Sequence, residues 1–144
     1  MDVNYWFECT VSIDQVQEDG ATKKVPQKYL VDAISFKEAE DKIIEEVSPY
    51  TSGSLDVDAV KKVKINEFFY GEGDMWYKVK AMYITIDEKT QAEKETSMFA
   101  MVLSSSFESA LSTFLTNMKG SLCDYRIVKI EETKILDVFS HNNN

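Results

Sequence analysis

The chain predicts an α+β fold in which one ββαβ unit is used twice, its strands joined in a single mixed or antiparallel sheet of about six strands with two helices on one face. Three observations carry that expectation. The pattern Ser-Phe-Xaa-Xaa-Ala recurs in "ISFKEAEDKIIEEV" at 34–47 and "SSFESALSTFLTNM" at 105–118. "WFEC" at 6–9 and "WYKV" at 76–79 precede these segments in the same order, and "VKINE" at 63–67 and "VKIEE" at 128–132 follow them. Within each half the hydropathy pattern changes from alternation to a helical period. One domain over 1–144 is expected, built of repeats at 4–70 and 75–139, with 140–144 as a frayed tail.

Each element has its own signal. Phe7, Cys9, Val11 and Ile13 alternate with Trp6, Glu8, Thr10 and Ser12, which is the period of a strand with one buried face. The polar "DQVQEDGATKK" at 14–24 reads as a hairpin loop into a second strand, "QKYLVDAI". In the second half "WYKVKAMYITI" and "SMFAMVLS" flank "DEKTQAEKET" in the same way, and a parity shift at Met82, Ile84 and Ile86 predicts a bulge.

The two recurring segments are the helices. Ser35 with Glu38, and Ser105 with Glu108, have capping-box spacing, in which side chains satisfy free backbone N–H groups at a helix start. Phe36, Ala39, Ile43 and Val47 then form one apolar stripe, matched by Phe107, Ala110, Leu111, Phe114, Leu115 and Met118. Each stripe should lie on the sheet. Pro49 with "TSGS", and "KGS" at 119–121, end the helices. Third strands are expected at "DAVKKVKINEFFY" and "DYRIVKIEE", with "KILDVF" as a continuation or an extra short strand. "YGEGD" is short enough to turn the third strand directly into the fourth as a hairpin, which would fuse the halves into one sheet.

Composition excludes much chemistry. A hydrophobic fraction of 44% with only five Gly and two Pro belongs to a chain that folds by itself. Sixteen basic against 25 acidic side chains give −9, and neither half is cationic, so duplex nucleic acid and anionic membranes start at a disadvantage as partners. No leader pattern or apolar span is written here, which predicts a cytoplasmic protein. Cys9 and Cys123 lie far apart without CxxC or His neighbours and read as buried free thiols, not as a metal or redox site.

The segments "YWFEC", "YLVDAISFKEAE", "SPYTSG", "WYKVK", "ITIDEK", "MKG" and "ILDVF" together resemble a family of unknown function from gut anaerobic bacteria and their tailed phages, over about residues 5–139. The resemblance supplies no catalytic residue. It implies a phage or mobile-element setting, and for such a protein the cytoplasm of the host cell.

Catalytic residues, cofactors and metals are therefore expected to be none. The single histidine, His141, lies in the polar tail "HNNN", away from any triad or zinc pattern. Neither GxxxxGK[ST] nor GxGxxG occurs, and "GEGD" lacks the spacing of a calcium loop. Glu131 and Glu132 with Asp137, or Glu67 with Asp74, are the carboxylate sets nearest to an acid–base or magnesium site, but adjacent strand residues point to opposite faces.

The binding candidate is "KKVKINEFFYGEGDMWYKVK" at 61–80, where five lysines against three carboxylates leave a local excess of positive charge. Read as a continuous hairpin, it places Lys62, Lys64, Phe68 and Tyr70 on one face beside Trp76, Lys78 and Lys80. Cations interleaved with aromatics suit single-stranded nucleic acid; the same aromatics can instead complete a core near the sheet edge. The first reading is a non-enzymatic binding module acting through a sheet face or edge on a protein partner or as a homodimer. A single-stranded nucleic-acid-binding accessory protein is the alternative, and a small-nucleotide binder or enzyme the third.

Overall fold

The computed structural model describes residues 4–51 and 53–140, so "HNNN" and His141 lie outside the described residues. In chain order these form β1 (Tyr5–Val16), β2 (Thr22–Ala33), α1 (Phe36–Val47), a 3₁₀ turn (Ser48–Tyr50), β3 (Leu55–Val63), β4 (Glu67–Tyr70), β5 (Met75–Ile86), β6 (Glu93–Ser104), α2 (Phe107–Met118), β7 (Asp124–Glu132) and β8 (Ile135–Phe139). Strands hold most of them. The expected single six-stranded sheet with both helices on one face is not what forms. There are two separate four-stranded sheets, ordered β3-β1-β2-β8 and β4-β6-β5-β7. They belong to two compact units, one of residues up to Lys64 and from Lys134 on, the other Ile65–Thr133.

A strand has two hydrogen-bonding edges, and that explains the correction. Both edges of β5 are taken, by β6 and β7, so no strand ending at Tyr70 can pair with it as a hairpin. The expected strand at 58–70 instead breaks at residues 64–66 into β3 and β4. Asn66 starts the new pairing: its N–H donates to the Phe99 carbonyl at 2.8 Å and its Oδ1 accepts from the Phe99 N–H at 2.9 Å. β4 then runs parallel to β6, Glu67 opposite Ala100 through Tyr70 opposite Leu103. "KILDVF" supplies β8, parallel to β2 at the edge of the first sheet.

In the first unit the alternation of β1 buries Phe7, Cys9, Val11 and Ile13 against Val31 and Ala33 of β2 and against Ala39, Ile43 and Val47 of α1. Ser35 caps α1 by accepting from the Glu38 N–H at 3.1 Å. The Glu38 carboxylate reaches back to the Ile34 N–H at 3.3 Å, one residue short of the reciprocal capping-box bond. Phe36 is half exposed, though its ring meets Phe7 edge to face at 4.9 Å.

In the second unit Tyr77, Val79, Ala81, Met98, Ala100 and Val102 pack on Ala110, Phe114 and Met118 of α2. The cap is Ser106, not Ser105: its side chain accepts from the Ser109 N–H at 3.1 Å. Ser109 thus stands where α1 has Glu38, and no carboxylate completes a box. The bulge falls in the β5–β7 pairing, between Lys80 and Ala81. Phe114→Ala would remove a fully buried ring contacted by Phe69 and Tyr125, a loss of about 3–5 kcal/mol.

Two glycines separate geometry from entropy. Gly73 has φ 142°, and a Cβ there would lie 2.3 Å from the Ser104 carbonyl carbon, backbone that cannot step aside. Gly120, at φ 86° behind α2, has nothing within 4 Å of that position. In urea denaturation Gly73→Ala should lose about 2 kcal/mol or more and Gly120→Ala about 1 kcal/mol. Equal losses would contradict the close approach of the 71–74 turn to the end of β6.

Candidate functional site

The residues of the predicted lysine–aromatic patch belong to both units. Lys62, on β3, and Lys64, just beyond it, belong to the first unit, where the Lys62 ammonium lies 3.6 Å from the centre of the Tyr5 ring. Phe68, Tyr70, Trp76, Lys78 and Lys80 belong to the second. Cross-strand pairing puts these five on the sheet face away from α2, in rows Phe68–Met101–Lys78 and Tyr70–Leu103–Trp76. Phe68 and Tyr70 meet Trp76 edge to face, with centroids at 6.1 and 5.7 Å. Lys78 and Lys80 sit 5.0 and 5.9 Å from the Phe99 ring centre.

That face is not an open stacking platform. Trp76 is 5% exposed and Met101 1%, and of the three predicted aromatics only Tyr70 presents most of its surface to solvent. Asp137 lies in the first unit, Glu131 and Glu132 in the second.

The outer face of α2 is the surface that the sequence reading missed. The stripe expected to pack wholly on the sheet splits in two: Ala110, Phe114 and Met118 are buried, while Phe107, Leu111 and Leu115 are 50%, 36% and 42% exposed. These three stand at i, i+4 and i+8, one seam along the solvent side. Leu122, beyond the helix end, is fully exposed. The seam is also nearly uncharged, because Glu108 is the only charged residue within α2. α1 carries seven in the same length, and at the places 71 positions before Phe107, Leu111 and Leu115 it has Phe36, Glu40 and Ile44. The signal was therefore present as a difference between the two helices.

Each unit also has a cleft beside the C-terminal end of its helix. In the first it is about 340 Å³, lined by Tyr29, Val47, Tyr50, Leu136, Asp137 and Phe139. In the second it is about 320 Å³, and Glu67, Phe69, Tyr83 and Lys119 are among its lining. Tyr29 and Phe139 stack at 5.5 Å with 23° between their planes, and the Tyr29 hydroxyl donates to Gln27 Oε1 at 2.8 Å. Burial, then the nearby Asp137 and Tyr50, push the Tyr29 phenol above its ordinary range, so it stays protonated. Tyr83 is raised as well, by burial first and then by Glu67.

Among the charged pairs, Arg126 donates from Nε and Nη2 to the two oxygens of Glu95, each at 2.9 Å, and lowers the Glu95 carboxyl below its usual range. Lys42 of α1 reaches the buried Asp32 of β2 at 3.1 Å, tying helix to sheet. No helix among the described residues is long and apolar enough to cross a membrane.

Comparison with known proteins adds one finding. The family model described as "Domain of unknown function (DUF4494)" matches residues 5–141. No curated protein matches the chain.

The two thiols differ, against the expectation that both are buried. Cys9 is buried in β1, and burial, with Glu8 and Glu40 nearby, pushes its thiol up to about 11. Cys123 precedes β7 in the turn after α2 and is exposed. Because the thiolate is the reactive form, a maleimide or disulfide reagent at about pH 8 should modify one thiol per native chain. Cys123→Ser should abolish that reaction until the protein is unfolded. Rapid modification of two thiols per native chain would contradict the burial of Cys9.

Proposed function

We propose, for a chain that belongs to the DUF4494 family of domains of unknown function, that it is a non-enzymatic binding module which works as a homodimer joined through the outer face of α2. The observation that carries this reading is the exposed Phe107–Leu111–Leu115 seam on a helix with a single charged residue. A sheet face or edge was the expected surface; the helix is the better candidate because the face of the second sheet away from α2 already buries Trp76 and Met101.

Charge argues for a second copy as the occupant. Copies that each carry −9 repel over most of their surface, and the α2 seam is a place where two can meet without setting carboxylates against one another. Glu108 lies in the first turn of α2 and Lys119 just past its end, both exposed. An antiparallel approach brings Glu108 of each copy toward Lys119 of the other, whereas a parallel approach sets like beside like. Self-complementarity of this kind is what a two-fold interface requires.

The nucleic-acid alternative has less support, since Trp76 is buried and only Tyr70 of its three aromatics presents most of its surface to solvent. The setting that goes with the dimer reading is the cytoplasm of a gut anaerobe, with the chain encoded by a phage or mobile element. It rests on the sequence resemblance alone. The matching order of element lengths in the two halves, 12, 12, 12 and 9 residues for β1, β2, α1 and β3 and again for β5, β6, α2 and β7, supports an internal duplication in which only the second copy turned its helix into an interface.

Sedimentation velocity over a concentration series tests the reading. A monomer–dimer equilibrium in roughly the micromolar range is expected. Leu111→Asp should shift it at least about tenfold toward monomer, because it buries a charge in the seam. Ile44→Asp, at the place on α1 that corresponds to Leu115, should leave it unchanged. A chain that stays monomeric at the highest concentrations, or a dimer indifferent to Leu111→Asp, would contradict it.

A further inference from the structure

The cleft of the first unit has a chemistry of its own, independent of the α2 seam. It exists because β8 returns to the first sheet and pairs with β2 as its edge strand, Asp137 beside Tyr29 and Phe139 beside Val31. Opposite that edge, α1 ends at Val47 and runs through Pro49 into the 3₁₀ turn that carries Tyr50. The space between is about 340 Å³, within the range of small-molecule sites, roughly 300–1,000 Å³.

Its lining is negative and mostly apolar. Tyr29, Tyr50 and Phe139 contribute aromatic rings, whose faces attract cations. Asp137 supplies a full negative charge at the edge of the cleft. The C-terminal end of α1 adds the negative pole of the helix, and its last turn holds Glu45 and Glu46 with no basic residue to offset them. Val47 and Leu136 make the remaining wall apolar. A hard metal ion needs several oxygen ligands and finds one carboxylate here. A cation clothed in methyl groups, which sheds water cheaply and packs against both rings and aliphatic side chains, fits the whole lining.

We propose that this cleft binds an organic ammonium group, quaternary or N-methylated, with the Tyr29–Phe139 stack as one wall, Tyr50 as another and Asp137 as its counter-charge. The matching cleft of the second unit is not such a site, because Lys119 already places a cation in its lining. The group belongs either to a free small molecule or to a methylated lysine side chain, which present the same chemistry to the cleft.

The test is an amide-resolved NMR titration of the full chain with choline, with its neutral carbon isostere 3,3-dimethylbutan-1-ol, and with a short peptide carrying trimethyllysine. Saturable shifts are expected around Tyr29, Tyr50 and Phe139, with the isostere binding at least about tenfold more weakly. Tyr50 is 81% exposed and the Asp137 side chain touches only its neighbour's N–H among the bonds described, so Tyr50→Ala and Asp137→Asn should fold normally. Each should weaken choline binding about three- to tenfold. Tighter binding of the peptide assigns the group to a protein side chain and tighter binding of choline to a free small molecule, both being forms of the expected result. Equal affinity for the isostere, no saturable shift with either ammonium probe, or unchanged binding by both variants would overturn the proposal.

Discussion

A β-strand offers two edges and no more, and the architecture follows from how β1 and β5 spend theirs. Each is an inner strand of its sheet, flanked by the hairpin partner that precedes the helix and by the strand that follows it. With those places filled, the short strands β4 and β8 join at the edges of β6 and β2, and both pair there in parallel. The residues between strands make this feasible. Asn66 lends its side chain as an extra acceptor at the start of β4, and Gly73 lets the chain pass tight against the end of β6.

The consequences reach the surface. Parallel edge strands of four and five residues leave the helix ends uncovered on one side, and the two clefts open there. Their difference comes from side chains, not from backbone: the first collects rings and a carboxylate, whereas the second includes a lysine. The helices show the same division. α1 is solvated by charges around a narrow buried stripe of Ala39, Ile43 and Val47, while α2 has a buried stripe of the same spacing and a second, exposed apolar seam beside it. Both folds hold together with the narrow stripe. The wider one on α2 exceeds what packing on the sheet requires.

Local periodicity was legible in the sequence, and long-range pairing was not. The alternation around Phe7–Ile13 and the helical spacing of Ala39, Ile43 and Val47 report burial directly, because neighbours in the chain decide them. The break at residues 64–66 was hidden, since "KKVKINEFFY" alternates as well as any strand and only the occupied edges of β5 forbid the hairpin. Ser105 and Ser106 each precede a candidate start of α2, and the 71-residue offset from Ser35 points to Ser106, the observed cap. Cys123 looked like a strand residue beside "DYRIVKIEE" but falls in the turn before it. For the site, the lysine–aromatic reading depended on the hairpin, and Trp76 is buried where a stacking platform needs it open. The cleft joins Tyr29, Tyr50 and Asp137 from three separate elements, and no spacing announces that.

The exposed thiol of Cys123, close behind α2, offers the most direct check on the account. A nitroxide attached there reports the distance between copies by pulsed dipolar spectroscopy, and the buried Cys9 leaves the labelling selective. Cys123 lies 12 residues from Leu111 at the middle of the seam, so an antiparallel α2 pair holds the two labels at opposite ends, on the order of 30–40 Å apart. A defined distance in that range, lost with Leu111→Asp, is the result the account predicts. An absence of dipolar coupling at about 0.1 mM protein, where a micromolar dimer is well populated, or a distance under about 20 Å, would contradict it.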